Sequence, residues 1–177
     1  MRYDVPFTSQ YEGITDPAWQ WRGCGIVALK MVFDFWHSQQ AGYRTAPMAE
    51  LWRAGMDAGA YREGIGWVHG GLAALARSYG YRSYNRDLAS NSPTPMTGVE
   101  AFAELGREIT LGPVLASVYS GMDPGRGGGH IVVVTDIDDA LVSFNDPEQQ
   151  DEREGRRTVA VRTFREAFKQ RYICVFP

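Results

Sequence analysis

The segment from Gly25 to Ser38 constrains the fold more than any other part of this sequence. Its polar side chains are Lys30, Asp34, His37 and Ser38, which form one narrow stripe at helical spacing. The remaining faces are apolar. The segment therefore predicts a helix that is buried on most sides and lies in the middle of its domain.

The hydrophobic pattern predicts further helices and strands along the rest of the chain. Helices are predicted at Pro47 to Gly59, Trp67 to Tyr79, Val99 to Thr110 and Phe164 to Arg171, the last with Thr163 as its N-cap. Strands are predicted at Arg82 to Asn85, Pro113 to Tyr119, His130 to Ile137, Leu141 to Asn145, Thr158 to Arg162 and Tyr172 to Phe176. The polar run from Glu148 to Arg157 is predicted to be a solvated loop. Because helices mostly precede strands, the pattern indicates an α+β fold with an antiparallel sheet.

Length and composition narrow the class of protein. The 177 residues suit a single domain with a full core, which we predict over residues 1–177. A net charge of −3 gives no electrostatic basis for binding nucleic acid or an anionic membrane. No apolar stretch has the length of a transmembrane helix, and the first residues lack the apolar core of a signal peptide. A cytoplasmic location is therefore the expectation.

The two cysteines lie in very different surroundings. Cys24 stands between two glycines at the start of the predicted central helix, where free N–H groups and the helix dipole favour a thiolate. Cys174 lies in an apolar strand, which is typical of a buried structural cysteine. In a chain without an export signal, both are expected to be reduced. Cys24 is thus a candidate nucleophile, and no cysteine or histidine spacing predicts a zinc site.

Geometry separates the three histidines as candidate bases. A base must reach the thiol at about 3 Å. His37 lies on the same helix as Cys24, about 20 Å farther along at the rise of an α-helix, which excludes it. His69 begins the helix predicted from Trp67 and could line a cleft, although a structural role is favoured there. His130 follows three glycines and opens an apolar strand, a rigid and accessible position that suits a catalytic group.

Asp146 is the candidate partner of His130. If residues 137–139 form the hairpin loop, His130 and Asp146 lie directly opposite each other, and a loop at residues 138–140 makes them diagonal neighbours. A two-residue loop would put them on opposite faces, so we predict an odd-numbered loop. Asp146 precedes Pro147, and an Asx-turn is the alternative explanation for it.

In this order, these residues resemble the C39-like peptidase family within the papain-like cysteine peptidase fold. The matching segments are Asp4 to Gln10, Gly23-Cys24-Gly25, Gly128 to Val134 and Asn145-Asp146-Pro147. The resemblance implies a helical part whose central helix carries the cysteine at its N terminus and packs on an antiparallel β-sheet. Family members often have proline where this chain has Ile26.

The resemblance also implies roles for four residues. Cys24 is the expected nucleophile, His130 the base and acid, and Asp146 the residue that orients the imidazole. Gln10 is the expected oxyanion donor, beside the backbone N–H of Cys24. Gln20 is the rival donor because it lies closer to Cys24 in sequence.

These residues predict a thiol-dependent hydrolase that cleaves a peptide or amide bond through an acyl-enzyme, with no cofactor and no metal. An acyltransferase with the same triad and a non-catalytic peptide-binding domain are the alternatives. The expected partner is a peptide or amide substrate, and the sequence leaves the oligomeric state open. Trp19, Trp21 and Trp67 could wall a cleft, with loops at Leu88 to Gly98 and Met122 to Gly129 at its border.

Overall fold

The computed structural model describes residues 2–177, so Met1, the first residue of the predicted domain, lies outside the described residues. The helices are α1 (Gln10–Gly13), α2 (Pro17–Gln20), α3 (Cys24–Gln39), α4 (Met48–Asp57), α5 (His69–Ser78), α6 (Gly98–Glu108), α7 (Glu152–Gly155) and α8 (Val161–Ala167). The strands are β1 (Tyr61–Arg62), β2 (Gly66–Trp67), β3 (Arg82–Asp87), β4 (Val114–Val118), β5 (His130–Ile137), β6 (Leu141–Asn145), β7 (Arg156–Ala160) and β8 (Phe168–Phe176).

A six-stranded sheet divides the core into two layers. Its strand order is β3-β8-β4-β5-β6-β7, and every neighbouring pair is antiparallel. Alternate side chains of β4, β5 and β8 pack on α3 and α5 on one face, and the residues between them pack on α6 and α8 on the other. The sheet is thus covered on both sides, and the predicted α+β fold is confirmed.

Helix α3 is the central helix that its sequence predicts. The apolar positions from Ile26 to Phe35 are almost all inaccessible to solvent, and the helix packs directly on β5. At its first turn, Gly25 lies against the ring of Trp67, whose Nε1–H donates to the carbonyl of Arg22 at 2.8 Å. This contact fixes the N-terminal end of α3 relative to the β1–β2 hairpin.

The structure corrects the predicted helix at Trp67 to Tyr79. Trp67 belongs to β2, and the helix begins at His69. Gly64 and Gly66 have φ values of 77° and 95°, so they turn the chain into a short hairpin before the helix starts. A two-residue strand carries too little pattern to be seen in the sequence.

The C-terminal elements also differ from the prediction. Strand β7 ends at Ala160, and α8 begins directly after it, so Ala160 rather than Thr163 is the N-cap. Helix α8 ends at Ala167 because Phe168 already belongs to β8, in which Gln170 has a φ of 57° and the register with β4 shifts. The run from Glu148 to Arg157 is not a solvated loop throughout, since it contains α7 and the first residues of β7.

Residues 3–9 form an extended N-terminal strap that crosses the sheet near the end of β6. The backbone N–H of Tyr3 donates to the carbonyl of Thr135 at 3.0 Å, and the Asn145 amide donates to the carbonyl of Val5 at 3.0 Å. Phe7 packs on the backbone of Gly155, where a Cβ atom would not fit. The strap therefore places Gln10, the first residue of α1, beside the turn that follows β6.

Across residues 2–177, no helix combines the length and the apolar composition that a bilayer-spanning segment needs.

Substituting Gly25→Ala tests the contact between α3 and the hairpin. A Cβ at this position would lie 2.6 Å from Cβ and 2.8 Å from Cγ of Trp67. We expect a loss of about 1–3 kcal/mol in the free energy of unfolding, because the indole cannot move without breaking its hydrogen bond. Urea unfolding followed by far-UV circular dichroism measures it.

The matched control for this variant is Gly106→Ala in α6, where a Cβ has no neighbour within 4 Å. We expect it to be neutral or stabilising by up to about 1 kcal/mol. Equal stabilities for the two variants would contradict the close packing at Gly25.

Candidate active site

A cavity of about 760 Å³ opens where the N terminus of α3 meets the start of β5. Cys24 and His130 both line it, with the β1–β2 hairpin on one side and β8 on another. The two residues that the sequence singles out as nucleophile and base therefore face the same space.

Cys24 is the first residue of α3, and Gly23 is the N-cap. No side chain caps this helix end, so the first N–H groups of α3 remain available to other acceptors. The thiol is free and partly exposed, and it lines the same cavity as the His130 ring. An exposed sulfur with an imidazole beside it is the arrangement that a nucleophilic cysteine requires.

His130 and Asp146 form the best-defined contact of the site. Nε2 of His130 lies 2.7 Å from Oδ1 of Asp146, and both side chains are buried. With Nε2 committed to the carboxylate, Nδ1 is the ring nitrogen left to face Cys24. The carboxylate thus fixes both the ring orientation and the nitrogen that meets the sulfur.

His130 and Asp146 are not directly opposite each other in the antiparallel pairing of β5 and β6. Val133 pairs with Asn145, which makes His130 and Asp146 diagonal neighbours. The loop between β5 and β6 comprises residues 138–140 and is odd-numbered as predicted, although next to it Ile137 pairs with Val142, one residue off the register of such a loop. A bulge at Thr135 inserts one extra residue into β5. On the His130 side of this bulge, the two strands pair in the register that a loop at residues 138–140 predicts.

Three further groups donate to the Asp146 carboxylate. Nη1 of Arg157 lies 2.7 Å from Oδ2, the backbone N–H of Glu148 donates to Oδ1 at 3.1 Å, and Nε2 of Gln149 donates to Oδ2 at 3.2 Å. The Glu148 contact is the Asx-turn that the sequence offers as the alternative, so the turn and the contact with His130 exist together. Arg157 was not predicted to reach this carboxylate, because it lies in the polar run that was expected to be solvated.

These contacts shift both pKa values of the pair. Burial lowers the pKa of His130, but the hydrogen bonds and charges of Asp146 and Cys24 outweigh it and raise the pKa well above its ordinary value. Burial raises the pKa of Asp146, but His130, Arg157 and the Glu148 N–H outweigh it and hold this pKa far below its usual range. The pair therefore favours an imidazolium beside a carboxylate.

The two candidate oxyanion donors occupy different environments. Gln10 is buried, and its Oε1 has no hydrogen-bond partner. Its side chain lies close to Gly23, since a Cβ atom added at Gly23 would be 3.3 Å from Cβ of Gln10. Its backbone N–H donates to the Pro147 carbonyl at 2.8 Å. The Gln20 amide instead donates to the carbonyls of Tyr11 and Ile14, so both of its N–H groups are used within the N-terminal region.

Comparison with known proteins identifies the family. The model of the Peptidase_C39 like family matches residues 2–174. The chain belongs to this family. The sequence resemblance is therefore confirmed over nearly the whole chain. Comparison with curated protein sequences found no match.

Solved structures with the same fold include two peptidases and a peptidase domain. A double glycine motif protease from an AMS/PCAT transporter, solved in complex with the leader peptide, is 17% identical with a TM-score of 0.64, covering 99% of this chain and 94% of that one. A putative C39-like peptidase from Bacillus anthracis is 18% identical with a TM-score of 0.64, covering 99% and 96%. The peptidase domain of Streptococcus ComA is 16% identical with a TM-score of 0.60, covering 88% and 92%.

The two other histidines and the second cysteine take no part in the contact between His130 and Asp146. His37 is exposed, and its Nδ1 lies 2.7 Å from the Tyr43 carbonyl oxygen. His69 is half-buried and lines the cavity. Cys174 is a free, buried cysteine, as predicted.

The prediction of which residues wall the cleft is correct in part. Trp21 and Trp67 line the cavity, as do Gly128 and Gly129 of the loop before β5. Trp19 instead packs against Trp52 and borders a second groove, and the loop from Leu88 to Gly98 contributes no lining residue.

Within residues 2–177, His130, Asp146 and Glu148 are the one group whose donor atoms lie close enough to hold a metal ion. A cation there would have to displace the bond between His130 and Asp146 and lie beside the Arg157 guanidinium. The arrangement therefore suits proton transfer better than metal binding.

Replacing Arg157→Gln removes a charged donor from a buried carboxylate. We expect a loss of about 1–2 kcal/mol in the free energy of unfolding at pH 7. Because the folded-state pKa of Asp146 is lowered, this stabilisation is fully present above the unfolded-state value of about 4 and is lost only as the pH falls through the much lower folded-state pKa. Urea unfolding at a series of pH values measures the difference.

The exposed Arg165 in α8 provides the control, and Arg165→Gln is expected to change stability by less than about 0.5 kcal/mol. A loss for Arg157→Gln at pH 7 that is no larger than the loss for Arg165→Gln would contradict its assignment to the Asp146 contact.

Proposed function

We propose that this protein is a cysteine peptidase-like hydrolase that cleaves a peptide or amide bond through an acyl-enzyme. The observation that carries the proposal is that Cys24 and His130 line one cavity while the buried His130 contacts Asp146 at 2.7 Å. Membership of the C39-like family supports hydrolysis of a peptide bond, and one protein with the same fold is a protease solved with a leader peptide. We further propose that residues 2–177 act as one catalytic domain.

In the first half of the reaction, the Cys24 sulfur attacks the carbonyl carbon and forms a tetrahedral oxyanion. His130, which holds the proton taken from the thiol, transfers it to the leaving nitrogen as the C–N bond breaks. Asp146 stabilises the imidazolium and keeps the ring aligned throughout. The amine product leaves, and the acyl group remains on the sulfur.

In the second half, His130 accepts a proton from a water molecule that attacks the thioester carbon. The tetrahedral species collapses, the C–S bond breaks, and the acid product leaves with Cys24 restored. His130 thus acts as the acid toward the leaving nitrogen in the first half and as the base toward water in the second.

Gln10 is the proposed oxyanion donor, together with the backbone N–H of Cys24. The N–H belongs to the first turn of α3, where no helical acceptor is available. Gln10 lies against Gly23, and its rival Gln20 uses its amide N–H groups elsewhere. Two donors directed at one point would stabilise the charge that develops on the carbonyl oxygen.

Alkylation of Cys24 tests the proposed triad without knowledge of the substrate. We expect iodoacetamide to label Cys24 at about pH 6.5 at least about ten times faster than in the His130→Ala variant, because the imidazolium stabilises the thiolate. Intact mass spectrometry measures the rate. Cys174→Ala should leave it unchanged, since burial raises the pKa of the Cys174 thiol. Equal rates with and without His130 would refute the proposed triad.

Gln10→Ala separates the oxyanion donor from the nucleophile. We expect turnover of cleaved peptides to fall about 10²–10³-fold while alkylation of Cys24 is unchanged, because the donor acts on the substrate oxygen. The exposed Gln39→Ala, at the end of α3, is the control. A parallel loss of alkylation and turnover would instead indicate that Gln10 supports the position of Cys24.

The acyltransferase and peptide-binding alternatives predict different products from the same incubation. Mass spectrometry with an added amine detects an acyl-amine in place of the free acid if transfer is favoured. A domain that only binds peptides forms neither product and leaves alkylation independent of His130.

A further inference from the structure

One wall of the cavity is formed by the sheet beside His130. In the register across it, Ile131 pairs with Ser117, and Ser117 pairs with Arg171. All three residues line the cavity. Since neighbouring strands are about 4.8 Å apart, Arg171 lies about 10 Å across the sheet from the residue that follows His130.

The charges on this wall do not balance. Nε of Arg171 pairs with Asp87 at 2.9 Å, and its Nη2 donates to the Asn91 side chain at 3.4 Å. Lys169 donates to the Gly128 carbonyl at 2.5 Å and lies over the Tyr119 ring at 4.9 Å. Among residues 2–177, no carboxylate lies within ion-pair distance of Lys169.

On the opposite side of the cavity, Arg22 and Glu63 form an ion pair at 3.0 Å and neutralise each other. The Lys169 ammonium is therefore the uncompensated charge among the lining residues outside the Cys24–His130 pair. The excess is positive although the chain as a whole carries −3.

His69 adds a neutral donor to the same wall. It is the first residue of α5, whose N terminus has no side-chain cap, and its ring Nε2 is buried without a hydrogen-bond partner. Burial and the charges of Arg171 and Lys169 outweigh the opposing charge of Asp87 and lower the pKa of His69 to about 4. At neutral pH the ring is thus uncharged and can place an N–H toward an anion.

We propose that the substrate of this site carries a carboxylate that binds between Lys169, Arg171 and His69. The inference rests on the proposed hydrolase function. An extended peptide advances about 3.4 Å per residue, so the carboxylate lies about three residues from the scissile bond. It belongs either to an aspartate or glutamate side chain or to the free C terminus of the peptide.

A peptide library tests this selectivity. The wild-type protein is incubated with a mixture of peptides of defined sequence, and mass spectrometry of the products gives the residue preference at each position around the cleaved bond. We expect acidic residues to be enriched about tenfold at one position about three residues from the cleavage site. A matched library with amidated C termini loses the preferred substrates only if the C-terminal carboxylate is the group that binds.

Three variants link the preference to this wall. Lys169→Glu should change the preferred side chain from acidic to basic at that position, whereas Lys169→Gln, which can still donate to the Gly128 carbonyl, should remove the preference without reversing it. Arg165→Glu makes the same change in net charge on exposed α8 and should leave the preference intact.

The outcomes distinguish this inference from the proposed function. Cleavage without any preference for a carboxylate, or a preference that Lys169→Glu leaves intact, overturns the inference and leaves the hydrolase standing. A protein that cleaves no peptide, and whose Cys24 is alkylated no faster than a free thiol, overturns both.

Discussion

The buried carboxylate of Asp146 is the group on which the geometry of the site depends. Its two oxygens accept from His130, Arg157, Gln149 and the backbone of Glu148. A carboxylate removed from water is costly unless donors surround it, so the chain gains stability only when these parts of the fold meet. The same contacts that satisfy the charge also fix the imidazole. Stability and ring orientation therefore have a common physical origin.

The turn after β6 also joins the sheet to the N-terminal strap. Asn145 holds the Val5 carbonyl, Asp146 holds the imidazole, and the Pro147 carbonyl accepts from Gln10. Three consecutive residues thus set the positions of the strap, the proposed base and the proposed oxyanion donor relative to one another. Cys24 is positioned by α3, whose first turn contacts Trp67 and which itself packs on β5. The candidate site lies where this helix meets the sheet and the turn after β6.

Long runs of apolar residues made much of this fold predictable from the sequence. The apolar pattern of α3 and the bounds of β5 and β6 follow from local sequence, and so does the proximity of His130 to Asp146. The bulge at Thr135 left no mark in that pattern, because one inserted residue changes pairing without changing hydrophobicity. Arg157 was missed for a different reason: a charged residue is ordinarily solvated, and only the register of β7 on β6 brings it to Asp146.

The place of β8 in the sheet has a consequence for biosynthesis. This strand is the last element along the described chain, yet it lies between β3 and β4 in the interior of the sheet. A ribosome emits Cys24, His130 and Asp146 before residues 168–176, so the proposed catalytic residues all leave it before the sheet can reach its described strand order. Strand β8 must therefore insert between two strands that were synthesised before it.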